Sequence, residues 1–170
     1  MIVHAGLVAL LHDRRWRGAL ITGRSGAGKS DLALRLIEGG FSLVADDRTL
    51  LWTSGGRVYG RAPEAIAGKI EARGLGIVGL AFRDFAAVDL VVALDDADIE
   101  RMPYPKTEDL IGQGVARVGV RPYEASTPAK LRRWLIALGE AQQRAYLANL
   151  SRGGLPKPLS RRVRRQSLGA

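Results

Sequence analysis

The residues Gly23-Arg24-Ser25-Gly26-Ala27-Gly28-Lys29-Ser30 satisfy the pattern G-x-x-x-x-G-K-[ST] in full. Glycines at 23, 26 and 28 let the backbone turn successive N–H groups inward, which makes an anion nest at the positive end of the helix that follows. A polyphosphate fits such a nest. Lys29 then supplies a point charge for the β and γ phosphates, and the Ser30 hydroxyl is the oxygen that ligates a bridging Mg²⁺. An accidental glycine-rich turn would not need to lie between an apolar strand and a helix, and this one does.

Chemistry on a nucleotide also needs an acid at the end of a neighbouring strand, to manage Mg²⁺ or a proton. The chain offers two pairs. Asp46 and Asp47 follow the apolar run FSLVA, and Asp95 and Asp96 follow LVVAL. Pattern alone does not choose between them, and either pair can simply be solvated strand-end carboxylates.

The elements that position these groups read as follows. Residues 5–11 and 18–22 are two strands joined by a polar turn over residues 12–17. Residues 30–38 have helical spacing, with Leu32, Ala33, Leu36 and Ile37 facing inward and Gly39-Gly40 as the stop. Residues 41–45 form a short strand, and residues 49–52 and 57–59 flank Ser54-Gly55-Gly56 as a hairpin. Residues 62–77 mix a short helix with a glycine turn, ahead of a strand over 77–82. Another strand covers 89–94. Thr127 as N-cap and Pro128 behind it start a helix whose apolar positions recur to about Leu150.

The chain has 170 residues, 46% of them hydrophobic, which suits one domain with one core. Cysteine is absent, so disulfides, thiolate zinc sites and a Cys nucleophile are excluded. No apolar run approaches the length of a membrane span and no secretion signal opens the chain, so the expectation is a cytoplasmic protein without membrane contact. The net charge of +9 is concentrated: Arg144, Arg152, Lys157, Arg161, Arg162, Arg164 and Arg165 leave only +2 for residues 1–140. The expected organisation is a catalytic domain over residues 1–150 and a basic, mobile tail over 151–170.

Two linked segments, ITGRSGAGKSDLALRLIEGGFSLVADDRTLLW and KIEARGLGIVGL, resemble the HPr serine kinase/phosphorylase family. The likeness covers residues 4–101 well and the last third loosely, and it is to short, alphaproteobacterial-type forms made of the catalytic domain only. It implies a single α/β P-loop domain with a mixed sheet around the P-loop helix, of the HPr kinase/PEP carboxykinase kind. It also implies Mg-ATP-dependent phosphorylation of a serine on the phosphocarrier protein HPr, and a homohexamer. By the same resemblance Asp47 is the acid/base that takes the serine proton, with Asp46 supporting it. Glu71 joins Ser30 as a Mg²⁺ ligand, His4 lies beside the acid/base, and Arg101 holds the transferred phosphate. On residue type alone, His4 would be structural and Glu71 a surface partner of Lys69 or Arg73.

The chain departs from longer family members downstream, where Val118-Gly119-Val120-Arg121-Pro122-Tyr123-Glu124-Ala125-Ser126 replaces a segment linked to dephosphorylation. The phosphorylase direction is therefore open. Two rivals stand beside the kinase reading. A small-molecule or nucleotide kinase would use the same loop but needs a substrate lid, and none is visible between Arg48 and Leu94. A nucleotide-regulated nucleic-acid-binding protein would use the arginine tail, though binding alone leaves the loop unexplained.

Overall fold

In the computed structural model, residues 1–94, 99 and 106–139 are described. The chain opens with β1 (Ile2–Val3), β2 (Ala5–His12) and β3 (Arg15–Thr22), followed by α1 (Lys29–Glu38) and β4 (Ser42–Ala45). Next come β5 (Thr49–Ser54), β6 (Arg57–Arg61), a single 3-10 turn over Glu64–Ile66, β7 (Lys69–Ala72) and β8 (Gly76–Gly79). The last described elements are β9 (Ala86–Ala93), β10 (Lys106–Leu110), β11 (Gln113–Gly119) and α2 (Thr127–Gly139).

Among the described residues, the main sheet runs β1-β5-β6-β9-β3-β2-β4, with β11 also on β9 and β10 outside it. Three strands are parallel: β3 lies beside β9, and β9 beside β11. The other pairs are antiparallel, three of them hairpins (β2–β3, β5–β6 and β10–β11) and three joining strands distant in sequence. One edge of β9 carries β3 along its length. The opposite edge is shared, β6 pairing at Ala86 and Ala87 and β11 at residues 90–93. The sheet therefore forks at β9 and curls.

That curl explains the continuous apolar runs in β2, β3 and β9. Val8, Leu10, Ala19, Ile21, Leu90 and Val92 face a core closed by Leu32 and Leu36 of α1 and Leu131 and Leu135 of α2. The alternate residues Leu7, Ala9, Leu20 and Val91 face a second core with Leu51 and Val58 of the β5–β6 arm. Both faces are covered, so the period of two shows as a change of core rather than of polarity. Gly18 permits the closest strand approach, since a Cβ there would stand 2.3 Å from the Ala87 carbonyl oxygen.

Several boundaries differ from the sequence reading. The first turn is only Asp13-Arg14, both at positive φ, and His12 pairs with Arg15 as the end of a longer hairpin. His12 is thus a half-buried strand residue, not a loop residue. The β10–β11 hairpin was not anticipated. At α2, the Ser126 carbonyl accepts the first helical bond from Lys130 N, while the Thr127 hydroxyl donates to Arg121 O at 2.7 Å. The start lies one residue earlier than expected, and Thr127 braces the preceding loop instead. The helix continuation to Leu150, the tail over 151–170, Asp95, Asp96 and Arg101 fall outside the described residues. No described helix is long and apolar enough to cross a membrane.

Candidate active site

The glycine loop sits where the sequence reading places it, between β3 and α1. Gly23, Gly26 and Gly28 all have positive φ, and Gly28, at φ 96°, is the N-cap of α1 with no side-chain cap. Any side chain would be strained there, and the orphan N–H groups of the helix start remain turned toward the loop. Asp31 follows in the first turn, where the helix dipole favours an acid, and pairs with Arg35 at 3.0 Å.

Lys29 is buried rather than exposed in the nest. Its Nζ donates to Gly23 O at 2.8 Å and Arg24 O at 2.9 Å, and lies 3.0 Å from His4 Nε2. An ammonium has no acceptor lone pair, so Nε2 must be the acceptor and Nδ1 carries the imidazole proton. Nδ1 in turn lies 3.1 Å from Asp47 Oδ1. A relay Lys29, His4, Asp47 therefore links the loop to the strand-end acid, and His4 is its centre.

The two adjacent carboxylates face different partners. Asp46 is buried and accepts the Ser30 hydroxyl on Oδ1 at 2.9 Å and Oδ2 at 3.0 Å, with Glu71 N donating to Oδ2 at 3.1 Å. Asp47 is 59% exposed at the side chain. The division comes from the backbone: Arg48 N bonds back to Asp46 O at 2.7 Å across Asp47, whose φ is 63°. This γ-turn with positive φ is an unusual conformation of the sort that accumulates at functional sites. It turns Asp46 inward and Asp47 out.

Glu71 lies on β7 next to this cluster, its backbone tied to Asp46 and its side chain exposed. Among the described residues neither Lys69 nor Arg73 forms an ion pair with it. Lys69 Nζ donates instead to Ala65 O at 3.0 Å. The Ser30 hydroxyl is a hard oxygen donor held by Asp46, and the exposed Glu71 is a second oxygen donor on the strand whose backbone bonds to Asp46, chemistry that suits Mg²⁺ alongside substrate phosphates.

Three further residues lie against the loop, Arg73, Pro122 and Tyr123. Arg73 lies against it, its Nη2 being 3.6 Å from where a Gly26 Cβ would stand. Tyr123 and Pro122 lie against Gly28, the Tyr123 hydroxyl 2.9 Å from a Cβ there. Within KIEARGLGIVGL the resemblance assigns a site role to Glu71 alone, residue type makes Arg73 no more than a surface partner for it, and an isolated tyrosine in a loop carries no periodic signal.

The family model described as HPr Serine kinase C-terminal domain matches residues 2–120. An HPr kinase/phosphorylase of Leptothrix cholodnii is 40% identical over 115 residues, 59% of this chain and 35% of that protein. Another, of Clostridium tetani, is 32% identical over 150 residues, 82% of this chain and 47% of that protein. The chain thus spans less than half the length of these relatives. A solved structure, that of the Hpr(Ser) kinase/phosphatase from Coxiella burnetii, superimposes with a TM-score of 0.68 at 24% identity, covering 89% of this chain and 97% of that one. At that identity the match speaks for the fold.

Proposed function

This chain belongs to the HPr serine kinase C-terminal domain family, and we propose that it is a Mg-ATP-dependent protein kinase that phosphorylates a serine of the phosphocarrier HPr. The observation that carries the proposal is the joining of the glycine loop to both strand-end acids, through Ser30 to Asp46 and through Lys29 and His4 to Asp47. A phosphate-binding loop, a buried acid on its hydroxyl and an outward acid on a histidine are the parts that phosphoryl transfer to a hydroxyl needs.

Residues 23–30 bind the ATP phosphates, with the loop N–H groups and Lys29 opposing their charge. Ser30 and Glu71 would hold Mg²⁺, and Asp46, which accepts the Ser30 hydroxyl proton, would orient the Ser30 oxygen toward the ion, as outer partners orient metal ligands elsewhere. When bound, the ion neutralises charge on the phosphoryl group being transferred. Asp47 accepts the proton of the HPr serine hydroxyl as its oxygen bonds to the γ-phosphorus and the bond to the ADP oxygen breaks. His4 donates Nδ1–H to Asp47 and fixes its direction. Arg101 contributes a planar fork of donors to the transferred phosphate.

The cytoplasm, where ATP and the carrier meet, is the expected setting, and a homohexamer the expected assembly. Transfer of radioactive phosphate from ATP to purified HPr is the deciding experiment. Labelling of the carrier by the wild-type chain, lost in Asp47→Asn, is the expected result. A chain that hydrolyses ATP or phosphorylates a small molecule while leaving HPr unlabelled would overturn it.

A further inference from the structure

The loop over residues 120–126 has no part in the reaction described above, yet it is built onto the nucleotide loop. It leaves the carboxyl end of β11, the outermost of the three parallel strands, and β3 feeds the glycine loop from the same end. In open α/β sheets ligands bind at the carboxyl ends of parallel strands. Val120 N donates to Ala93 O at 3.0 Å, which ties the loop to the end of β9. Arg35 of α1 then donates to the carbonyls of Pro122 and Glu124, the latter at 3.5 Å. The Thr127 hydroxyl holds Arg121 O. A segment anchored to β9, α1 and α2 presents one large aromatic: Tyr123, 68% exposed, its hydroxyl against Gly28.

An exposed tyrosine on so braced a loop fits a binding role better than a packing one. Its position decides the ligand. The nest and Lys29 take phosphate, and an uncharged ring adds little there. The organic half of a nucleotide needs an apolar surface just outside the nest, and Tyr123 stands beside Gly28 at the start of α1.

We infer that Tyr123 contacts the nucleoside half of the bound nucleotide, its ring packing against the base. The inference rests on the nucleotide-binding reading of the glycine loop. Ring contact without hydrogen bonds to base edges is tolerant of base identity, so ATP and GTP depend on Tyr123 alike.

The test uses the full chain with Mg-ATP, Mg-GTP and Mg-tripolyphosphate, the last having phosphates and no nucleoside. Tyr123→Ala is expected to weaken ATP and GTP roughly ten-fold while tripolyphosphate changes by less than about two-fold, and Tyr123→Phe to bind like wild type. In turnover, the KM for ATP rises in Tyr123→Ala and kcat at saturating ATP holds. Equal weakening of all three ligands would mean that Tyr123 only braces Gly28, and unchanged ATP binding would mean no contact; either overturns the inference. Lys29→Ala serves as the control for the parent reading. If it binds ATP like wild type, the glycine loop is not the nucleotide site, an outcome separate from any behaviour of Tyr123.

Discussion

The Ser30 hydroxyl donates to both oxygens of the Asp46 carboxylate, at 2.9 and 3.0 Å, and Asp46 is buried while Asp47 beside it is not. Asp46 therefore acts through Ser30. Asp46→Asn keeps the shape but loses the charge and one acceptor, and is expected to raise the Mg²⁺ concentration needed for half-maximal turnover about ten-fold or more. A Mg²⁺ titration at fixed ATP checks this. An unaltered Mg²⁺ requirement would detach Asp46 from the ion.

Asp47→Asn is expected to leave ATP binding within about two-fold of wild type and to lower kcat by roughly 10²- to 10⁴-fold, the range for losing a general base. Asparagine tolerates the positive φ of this position, so the γ-turn survives and the effect is chemical. ATP binding by calorimetry, beside phosphate transfer to HPr, separates the two. Substantial residual kcat would move the acid/base elsewhere.

Lys29→Ala is expected to abolish turnover and also to cost stability, because Nζ satisfies two loop carbonyls and His4. Losing these bonds should lower unfolding free energy by about 1–2 kcal/mol in urea titrations. Unaltered stability would mean that water replaces the ammonium without penalty.

Asp89 predicts a pH dependence of folding that has nothing to do with the site. Burial, its largest influence, pushes its carboxyl above the usual 3.8, against the pull of Arg57 at 2.9 Å and the bond from Gly18 N. The folded state thus holds this proton more tightly than the unfolded chain does. The native state is favoured by Asp89 below about 3.8 and loses that advantage as pH rises through the raised folded value. Urea stabilities of wild type and Asp89→Asn between about pH 4 and 7 should shift in favour of the variant as pH rises. A constant gap would show that Asp89 titrates alike in both states.

The strand, loop and helix around Lys29 were legible because their signals are local: glycines at fixed offsets, helical spacing from Leu32 to Leu36, and Gly39-Gly40 at the end. The forking of β9 was not, since pairing partners leave no mark on one strand's sequence. The β10–β11 hairpin was hidden for a different reason. Its turn is Ile111-Gly112, with φ of 53° and 75°, and a β-branched residue is a poor advertisement for a turn that favours Asn-Gly. The resemblance already gives Asp47 and Asp46 different parts and His4 to Asp47, but the γ-turn that rotates Asp46 to Ser30 and Asp47 to His4 leaves no sign in the residue types. Tyr123 shows the same limit, for only the parallel pairing of β11 on β9 brings its loop to Gly28.

The fork at β9 also bears on how the molecule is made. Gly18 and Asp89 are 71 residues apart in sequence, yet they bond where β3 meets β9. Until β9 docks, the strand that carries the glycine loop has only its hairpin partner β2 and the neighbouring β4 beyond it. Long-range pairing of this kind is slow, because chain entropy is lost before contacts repay it. Assembly of the loop's support thus waits for late-arriving sequence, and a nascent chain still short of residues 86–93 would carry the whole glycine motif without the central strand that seats it.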